Sequence, residues 1–388
     1  MIEKPVYTLR QLVLYFLKLG TVGFGGPVAL VGYMYKDLVE DRKWISEEEY
    51  KQGLALAQLA PGPLAAQLGI YLGFVHYRVI GATLAGLAFV IPSFIIVVLL
   101  GIVYKTYGGL DWMQAVFYGV GAAVIGIIAM SSYKLTTKSI GKFNFESLKQ
   151  KWLLWLYFFV ALTITYVTKQ EQLLLFVVAG LIYMLVMAPP KWFKITSFNM
   201  LLLMPFGILE FKTSVLGKIA LFFTEAGAFV FGSGLAIVPF LHAGVVTKNH
   251  WLTEQQFLDA VAVAMITPGP VVITVGFIGF LVAGFAGACV AALATFFPCY
   301  AFTVLPAPYF NKIAKNESIK AFVDGITAAV VGALVGAVFV IGSQSIKDIP
   351  TAIIAIVTAL ALIYFKKIQE PYIILISAII GVVLKFVF

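Results

Sequence analysis

The sequence Leu59-Ala60-Pro61-Gly62-Pro63 breaks one apolar stretch, and Thr267-Pro268-Gly269-Pro270 breaks a second one in the other half of the chain. Proline lacks an amide proton and pushes the preceding residue out of the helical region, so each Pro-Gly-Pro triplet ends one helix and begins another. Inside a membrane, such breaks are tolerated only where protein or a water-filled cavity satisfies the freed backbone groups. The two triplets therefore predict a functional site.

The composition predicts an all-α integral membrane protein. Of 388 residues, 61% are hydrophobic and 12% are charged, and the mean hydropathy is +0.99, which leaves too little polar surface for a soluble globule. Uncharged windows such as Val79 to Tyr104 and Trp112 to Tyr133 are long enough to cross ~30 Å of hydrocarbon as helices. We find no removable signal peptide and expect a multi-pass protein of the inner (plasma) membrane.

Other classes of function lack support in the sequence. Cys289 and Cys299 lie in one apolar span without a CxxC motif or a histidine cluster, so we expect no disulfide, metal site or cofactor. The chain has no nucleic-acid motif, and the net charge of +9 is typical of basic cytoplasmic loops. It also lacks an HExxH motif, a nucleophile elbow and a phosphate-binding loop, so we do not expect an enzyme.

An internal repeat organises the chain. At an offset of 207 residues, which becomes 206 after a deletion near Tyr71, the glycine, proline and aromatic positions of the first half recur in the second. The matched pairs include Phe16 and Phe223, Gly20 and Gly227, Trp44 and Trp251, Pro61 and Pro268, Gly81 and Gly287, and Pro92 and Pro298. We divide the chain into a first repeat (1–195), a linker (196–218) and a second repeat (219–388).

The distribution of basic residues predicts that the repeats are inverted. Lysine and arginine favour cytoplasmic loops, and the loops rich in them alternate with opposite phase in the two halves. The first half has basic loops containing Lys36, Arg42, Lys43, Lys51 and then Lys134, Lys138, Lys142, Lys149, Lys151, separated by Lys105 alone; the second has Lys248, then Lys312, Lys315, Lys320, then Lys347. If the Pro-Gly-Pro segments are re-entrant hairpins, this charge pattern predicts about ten spans and an N-terminus outside the cell. If those segments cross the membrane fully, the number of spans is twelve.

The helix that begins after each triplet is expected to bind an anion. Its free amides and dipole favour negative charge, as at other helix N-termini. The alternative is a simple kink or membrane hairpin. The residues predicted to line this site are Pro61, Gly62, Pro63, Leu64 and Ala65 in the first half and Pro268, Gly269, Pro270, Val271 and Val272 in the second.

A second pair of breaks precedes the triplets and adds further candidates. Gly25, Gly26 and Pro27 match Gly232, Ser233 and Gly234, where glycine permits either close backbone approach or ordinary helix packing. Ionisable residues in membrane helices are functional candidates because burying them is costly. Lys18 and Glu225 occupy equivalent positions of the two repeats. Lys18 either attracts an oxyanion or neutralises Glu225; the alternative is that its side chain extends to the membrane–water interface and has neither role. The candidates for coupling are Glu225, Asp259 and Asp324, although the two aspartates also fit span ends.

The ordered set of FGGP within Gly20 to Ala29, Trp44, Leu59-Ala-Pro-Gly-Pro and the span from Gly81 to Pro92-Ser93 resembles the chromate transporter family, and the second half repeats a degenerate version. The resemblance covers nearly the whole chain and implies secondary export of chromate, with sulfate as a competing or exchanged anion, by alternating access in opposed halves. Gly234 replaces Pro27 and Cys299 replaces Ser93 in the second copy.

Three alternatives remain open at this stage. One is transport of sulfate or another divalent or organic anion by the same fold. The others are a membrane-embedded structural protein and a membrane enzyme. The expected partners are the anion and the lipid bilayer, with no nucleic acid and with a homodimer as an assembly to be tested.

Overall fold

The computed structural model describes residues 6–24, 26–169, 173–190, 214–229, 234–310, 316–346, 348–365 and 369–387, which form helices joined by turns. The helices are α1 Leu9–Val22, α2 Gly26–Tyr35, α3 Glu47–Leu59, α4 Leu64–Tyr107, α5 Asp111–Ser139, α6 Phe145–Gln150, α7 Trp152–Thr168, α8 Leu173–Met187, α9 Val215–Ala228, α10 Ile237–His242, α11 Glu254–Ile266, α12 Thr274–Val304, α13 Glu317–Ser345, α14 Ile349–Tyr364 and α15 Glu370–Val387. Six residues named in the sequence analysis lie outside the described ranges, namely Gly25, Gly232, Ser233, Lys312, Lys315 and Lys347.

Four helical segments are long and apolar enough to cross a membrane: Leu64–Tyr107, Asp111–Ser139, Val271–Tyr309 and Glu317–Ser345. Shorter apolar helices accompany them, including α7, α8 and α14. Apolar side chains such as Leu99, Phe297 and Leu360 are exposed on these helices, as expected for surfaces that face lipid. The all-helical membrane architecture expected from the composition is therefore present.

The 44-residue helix α4 is interrupted at Arg78, whose φ of 54° and ψ of −143° are not helical. The chain reverses there, because Gly73 and Gly81 on either side of the break face each other with backbone in direct contact. Residues 64–77 and 79–107 are therefore two antiparallel helices. Glycine at both contact positions permits this approach, since a Cβ on either would overlap the other's carbonyl.

Helix α12 has the same break at Gly284, with φ of 62° and ψ of −155°. Gly279 and Gly287 touch across it as Gly73 and Gly81 do in α4. Residues 274–282 and 285–304 thus form a second sharp reversal. Both breaks occur at matched positions of the internal repeat.

Helix α3 and residues 64–77 form a hairpin with Pro61-Gly62-Pro63 at its tip. Gln52 lies 3.4 Å from the Tyr71 hydroxyl along the arms, and Glu49 lies 3.4 Å from His76 at the base. The arms have 13 and 14 residues, or roughly 20 Å each at 1.5 Å per residue, which is less than the hydrocarbon thickness. The first arm begins with a good helix start, since Ser46 and Glu49 make a capping box before α3.

The first segment differs from the ten-span scheme, in which α1 would cross the membrane. The Tyr7 ring, just before α1, stacks on Trp44 with ring centroids 4.8 Å apart and shares a 2.8 Å hydrogen bond with His76. Helix α1 and the segment after the Gly23 to Pro27 break therefore return to the same end. Residues 6–8 therefore lie at the same end as the basic loop before Trp44, which corrects the expectation that the N-terminus lies on the opposite face.

In the second half, rings of α9 likewise contact the residues that follow α10. Phe223 stacks on Trp251, with ring centroids 6.5 Å apart, and Phe222 contacts Gly244. A wide π-helical turn follows each second arm, Lys36–Asp41 in one half and Ala243–Lys248 in the other. Positive φ angles at Lys43 and His250 then lead into the next capped helix, α3 or α11.

The remaining helices form a bundle around these hairpins. Helix α13 packs against α7, α8 and α5, and α5 packs against α14 and α15. Glycines permit the closest crossings: Gly119 touches Ser377, and Gly332 touches Phe158. These crossings hold α5 against α15 and α13 against α7.

The bundle has two ends, which we name by their tryptophans. The Trp44 end contains Tyr7, Trp44, His76, Arg78 and Phe310, and Phe310 lines a surface pocket with Glu47 and Lys51 at the base of the α3 hairpin. The Trp251 end contains Trp251, Glu254, Ser345 and Asp348; Ser345 bonds Glu254, and Tyr118 bonds Asp348. Residues 79–107 connect the two ends, because Arg78 lies at one and Tyr104 bonds Asp259 near the other.

Candidate functional site

The two Pro-Gly-Pro tips have matching backbone geometry. Gly62 and Gly269 have positive φ angles of 145° and 94°, which glycine adopts without strain. Pro63 and Pro270 are helix N-caps with extended backbone and without a capping side chain. The first amides of the following helices, at Leu64 and Val271, are therefore oriented by the tip and uncapped by any side chain.

Each tip contacts the proline-containing helix of the other half. The Ser93 hydroxyl, which follows Pro92, donates to the Pro268 carbonyl at 2.7 Å. The matched residue of the second half, Cys299, lies against Gly62, where a Cβ would be 3.2 Å from its own. Because Ser93 and Cys299 are both fully buried, these contacts seal the tips inside the protein.

A direct backbone link joins one tip to a break of the other half. The Gly269 amide donates to the Gly23 carbonyl at 2.9 Å. Gly26, with φ of 73°, begins α2 on the far side of that break. The triplet of one half and the glycine-rich break of the other therefore belong to one site.

The breaks line one small cavity, bounded by Pro27, Leu30, Pro63, Ala65, Gly234, Gly269, Pro270 and Val271. The structure brings these predicted residues together, with Pro61, Gly62, Leu64, Pro268 and Val272 in the adjoining backbone. The cavity volume is about 10 Å³, which is room for roughly one water molecule. The site is closed in this conformation, so an oxyanion requires the tips to move apart.

Gln67 is the buried polar side chain of the first tip. Its Nε2 donates to the Pro61 carbonyl at 2.9 Å, which holds the tip in shape. Its Oε1 is buried and has no hydrogen-bond partner among the described groups. An unsatisfied buried acceptor costs about 1–3 kcal/mol, so this group is available to a water or ligand donor.

Lys18 lies outside the closed site, in a cavity of about 370 Å³. This cavity lies between α1 and the α2 arm, by which we mean α2 together with the π-helical turn Lys36–Asp41 and Arg42. Gly23 lines the same cavity and so connects it to the break. No ion pair joins Lys18 to Glu225 among the described contacts, so the neutralisation alternative has no support.

Of the three coupling candidates, Asp259 is buried and the other two are exposed. Asp259 has 3% of its surface exposed and accepts hydrogen bonds from Tyr104 at 2.7 Å and from Gln255 at 2.8 Å. Neither partner carries a positive charge. Glu225 and Asp324 are exposed, and Asp324 lies near the start of α13, as expected for a span end.

Two histidine–carboxylate pairs were not predicted as sites from the sequence. His242, 2% exposed, lies 2.8 Å from Glu254 at the Trp251 end, and His76 lies 3.4 Å from Glu49 at the Trp44 end. One pair therefore lies at the base of each Pro-Gly-Pro hairpin. The repeat alignment offers no signal for them, because the histidines do not occupy matched positions.

Comparisons with known proteins match most of the chain. The chromate transporter family model matches residues 10–185 and 217–382. The chain is 60% identical to the chromate transport protein of Cupriavidus metallidurans over 384 residues, covering 98% of this chain and 94% of that protein. It is 60% identical to the probable chromate transport protein of Synechococcus elongatus over 386 residues (98% and 96%) and 29% identical to the chromate transport protein of Pseudomonas aeruginosa over 347 residues (86% and 80%). No solved structure matches the chain.

The described helices are those of a polytopic membrane protein, and the relatives named above are chromate transport proteins. By the extent of the family match and the identity over almost its full length, the chain belongs to the chromate transporter family.

Proposed function

We propose that this protein is a secondary transporter that exports chromate across the inner membrane by alternating access. The observation that carries the proposal is the closed cavity between the hairpin tips, where backbone breaks from both halves meet. Broken helices near the middle of a membrane are typical substrate sites of secondary transporters. The family membership supports chromate as the substrate.

The proposal includes two repeats of opposite orientation, 1–195 and 219–388, joined by the linker 196–218, most of which lies outside the described residues. Contacts support it: the base of the α3 hairpin lies with Tyr7 and Phe310, whereas α11 begins beside Ser345 at the other end. Described basic residues concentrate at the Trp44 end, which we assign to the cytoplasm. The described lysines that we assign to the opposite end are Lys105, Lys169, Lys218, Lys248 and Lys385.

Recognition of the anion would use backbone donors at the two tips. Once the tips separate, the first amides after Pro63 and Pro270 and the dipoles of their helices face the opened space. Rocking of one repeat against the other would break the contacts Ser93–Pro268 and Gly269–Gly23 and open the site toward one face at a time.

The membrane potential supplies a driving force for export. Chromate carries two negative charges at neutral pH, and an inside-negative potential contributes ~2.3 kcal/mol per charge per 100 mV toward its exit. A coupled ion is therefore not required by thermodynamics. If protons are coupled, Asp259 is the favoured carrier, because it is buried and its hydrogen-bond partners are neutral.

Uptake of labelled chromate into everted membrane vesicles tests the proposal, because their outer surface corresponds to the cytoplasm. Energised vesicles that contain the protein are expected to accumulate chromate well above vesicles from cells that lack it. Equal accumulation in the two preparations would contradict chromate export.

Sulfate is the second candidate substrate. The described site offers backbone donors and no metal-ligating cluster, and such donors fit any tetrahedral dianion. Unlabelled sulfate is expected to compete with labelled chromate in the same vesicles. A preference for sulfate over chromate would make this the main substrate and would keep the fold and site unchanged.

A further inference from the structure

The first half contains a second cavity that the closed site does not use. It lies between α1 and the α2 arm, opens toward the Trp44 end and measures about 370 Å³, far more than the central cavity. Its walls include Gly23 and Phe24 of the break at its inner side. The space therefore adjoins the central site at its inner side and the proposed cytoplasmic face at its outer side.

The ionisable groups of this cavity favour an anion. Lys18 comes from α1 and Arg42 from the end of the α2 arm, with Asp37 as the opposing charge. The hydroxyl-bearing rings of Tyr15 and Tyr33 and the amide of Gln369 add hydrogen-bonding groups. Two cations against one carboxylate leave a net positive cavity.

Arg42 is held in place by aromatic rings. Its guanidinium carbon lies 4.7 Å from the centre of the Trp44 ring and 5.6 Å from that of Tyr15. Stacking of this kind fixes the plane of the guanidinium and leaves its N–H groups free for an oxyanion. Trp44 is fixed in turn by its stack with Tyr7.

The matched space in the second half is filled. Phe222, which matches Tyr15, stacks on Phe240 at 5.4 Å between ring centroids and presses against Gly244. At the other matched positions Glu225 replaces Lys18 and Asn249 replaces Arg42. Packed aromatic rings therefore occupy the space that matches the basic cavity of the first half, and the matched charged position carries the exposed acid Glu225.

We propose that the cavity formed by Lys18, Arg42, Tyr15, Tyr33 and Gln369 is an outer binding subsite for a tetrahedral dianion; among the described residues of the second half, the positions that match Lys18 and Arg42 are not basic. The anion binds here before it enters the site between the tips. The inference rests on the proposed transport function and adds an asymmetry to it: the anion is captured at the Trp44 end and released at the other end without an equivalent subsite.

Transport kinetics of two variants test the subsite. Lys18→Gln and Arg42→Gln each remove one charge-assisted contact, so the KM for chromate uptake into everted vesicles is expected to rise by about tenfold, with the maximal rate within about twofold of wild type. Lys51→Gln is the matched control, because Lys51 is an exposed lysine at the same end, paired with Glu47. Its KM is expected to stay at the wild-type value.

Two further measurements separate the possible outcomes. Arg42→Lys keeps the charge, so its KM for chromate is expected to lie between those of wild type and Arg42→Gln. Chromate efflux from right-side-out vesicles reports the KM of the same cytoplasmic side in the opposite membrane orientation. Chromate uptake by wild type with unchanged KM in Lys18→Gln and Arg42→Gln overturns the subsite and leaves the transport function intact. Absence of wild-type uptake would instead overturn the transport function.

Discussion

At the scale of single residues, the buried carboxyl of Asp259 stands out among the charged groups. It is enclosed by Tyr104 and Gln255, and burying an ionised carboxylate with neutral partners is costly. The sequence favoured Glu225 over Asp259 and Asp324, because Glu225 matches Lys18 in the repeat and the two aspartates also fit span ends. Burial distinguishes them, and burial depends on how distant segments pack.

Asp259→Asn tests a proton-carrier role. A lumen more acidic than the medium is expected to stimulate chromate uptake by wild-type everted vesicles, since protons leave as the anion enters. The amide cannot take up the proton, so the variant is expected to lose this stimulation and to keep uptake driven by an imposed potential. The measurement is initial uptake with each gradient applied separately.

Asp324→Asn is the control for this experiment, because Asp324 is an exposed acid near the start of α13. It is expected to respond to both gradients as wild type does. A pH-driven stimulation that survives in Asp259→Asn, or that is missing from wild type, would contradict the assignment.

At the scale of elements, the glycines at the hairpin tips decide whether the site can form. Gly269 has a positive φ, and a Cβ there would overlap the Ser93 hydroxyl that holds the tip. Gly284 also has a positive φ of 62°, but a Cβ would meet no atom within 4 Å. The two positions share the backbone strain and differ in the tip contact.

Gly269→Ala is therefore expected to abolish chromate uptake, whereas Gly284→Ala is expected to retain a substantial part of it. Strain of about 1–2 kcal/mol applies to both, and the clash with Ser93 applies to Gly269 alone. Uptake is normalised to the amount of protein in the membrane. Equal losses in the two variants would show that strain, and not the tip contact, limits function.

The Pro-Gly-Pro breaks could be predicted because proline chemistry acts locally along the chain. The re-entrant hairpin and the span that begins at Val79 imply a reversal near Arg78, but the positive φ there could not be predicted, since arginine carries no residue-type signal for it. The return of α1 was also missed, because the stacking of Tyr7 on Trp44 joins residues far apart in sequence. Loop charge predicts opposite orientations for the two halves, which stays a prediction, and it misplaced the segment before α1.

At the scale of the whole molecule, the proposed transport site depends on how the two halves meet. The halves exchange contacts at their tips: Ser93 of the first with Pro268, and Cys299 of the second with Gly62. The sequence predicted both triplets as site residues but not the cross-half partners. The local sequence pattern shows where a helix is broken. Which residues of the other repeat contact that broken segment depends on the three-dimensional arrangement of the repeats.

The central claim is that the two hairpins enter from opposite faces. Asp41 and Lys248 are exposed, occupy matched positions at the ends of the two π-helical turns, and lie beside Trp44 and Trp251 respectively. Val6, 86% exposed, marks the start of the chain. Cysteines at these positions, in a Cys289→Ala and Cys299→Ala background that retains transport, report the face of each.

Labelling with a membrane-impermeant maleimide, in right-side-out and in everted vesicles, is the most direct measurement of which face each position lies on. Asp41→Cys and Val6→Cys are expected to react only from the cytoplasmic face, and Lys248→Cys only from the opposite face. Reaction of Asp41→Cys and Lys248→Cys from the same face would contradict the inverted arrangement and with it the site between opposed tips.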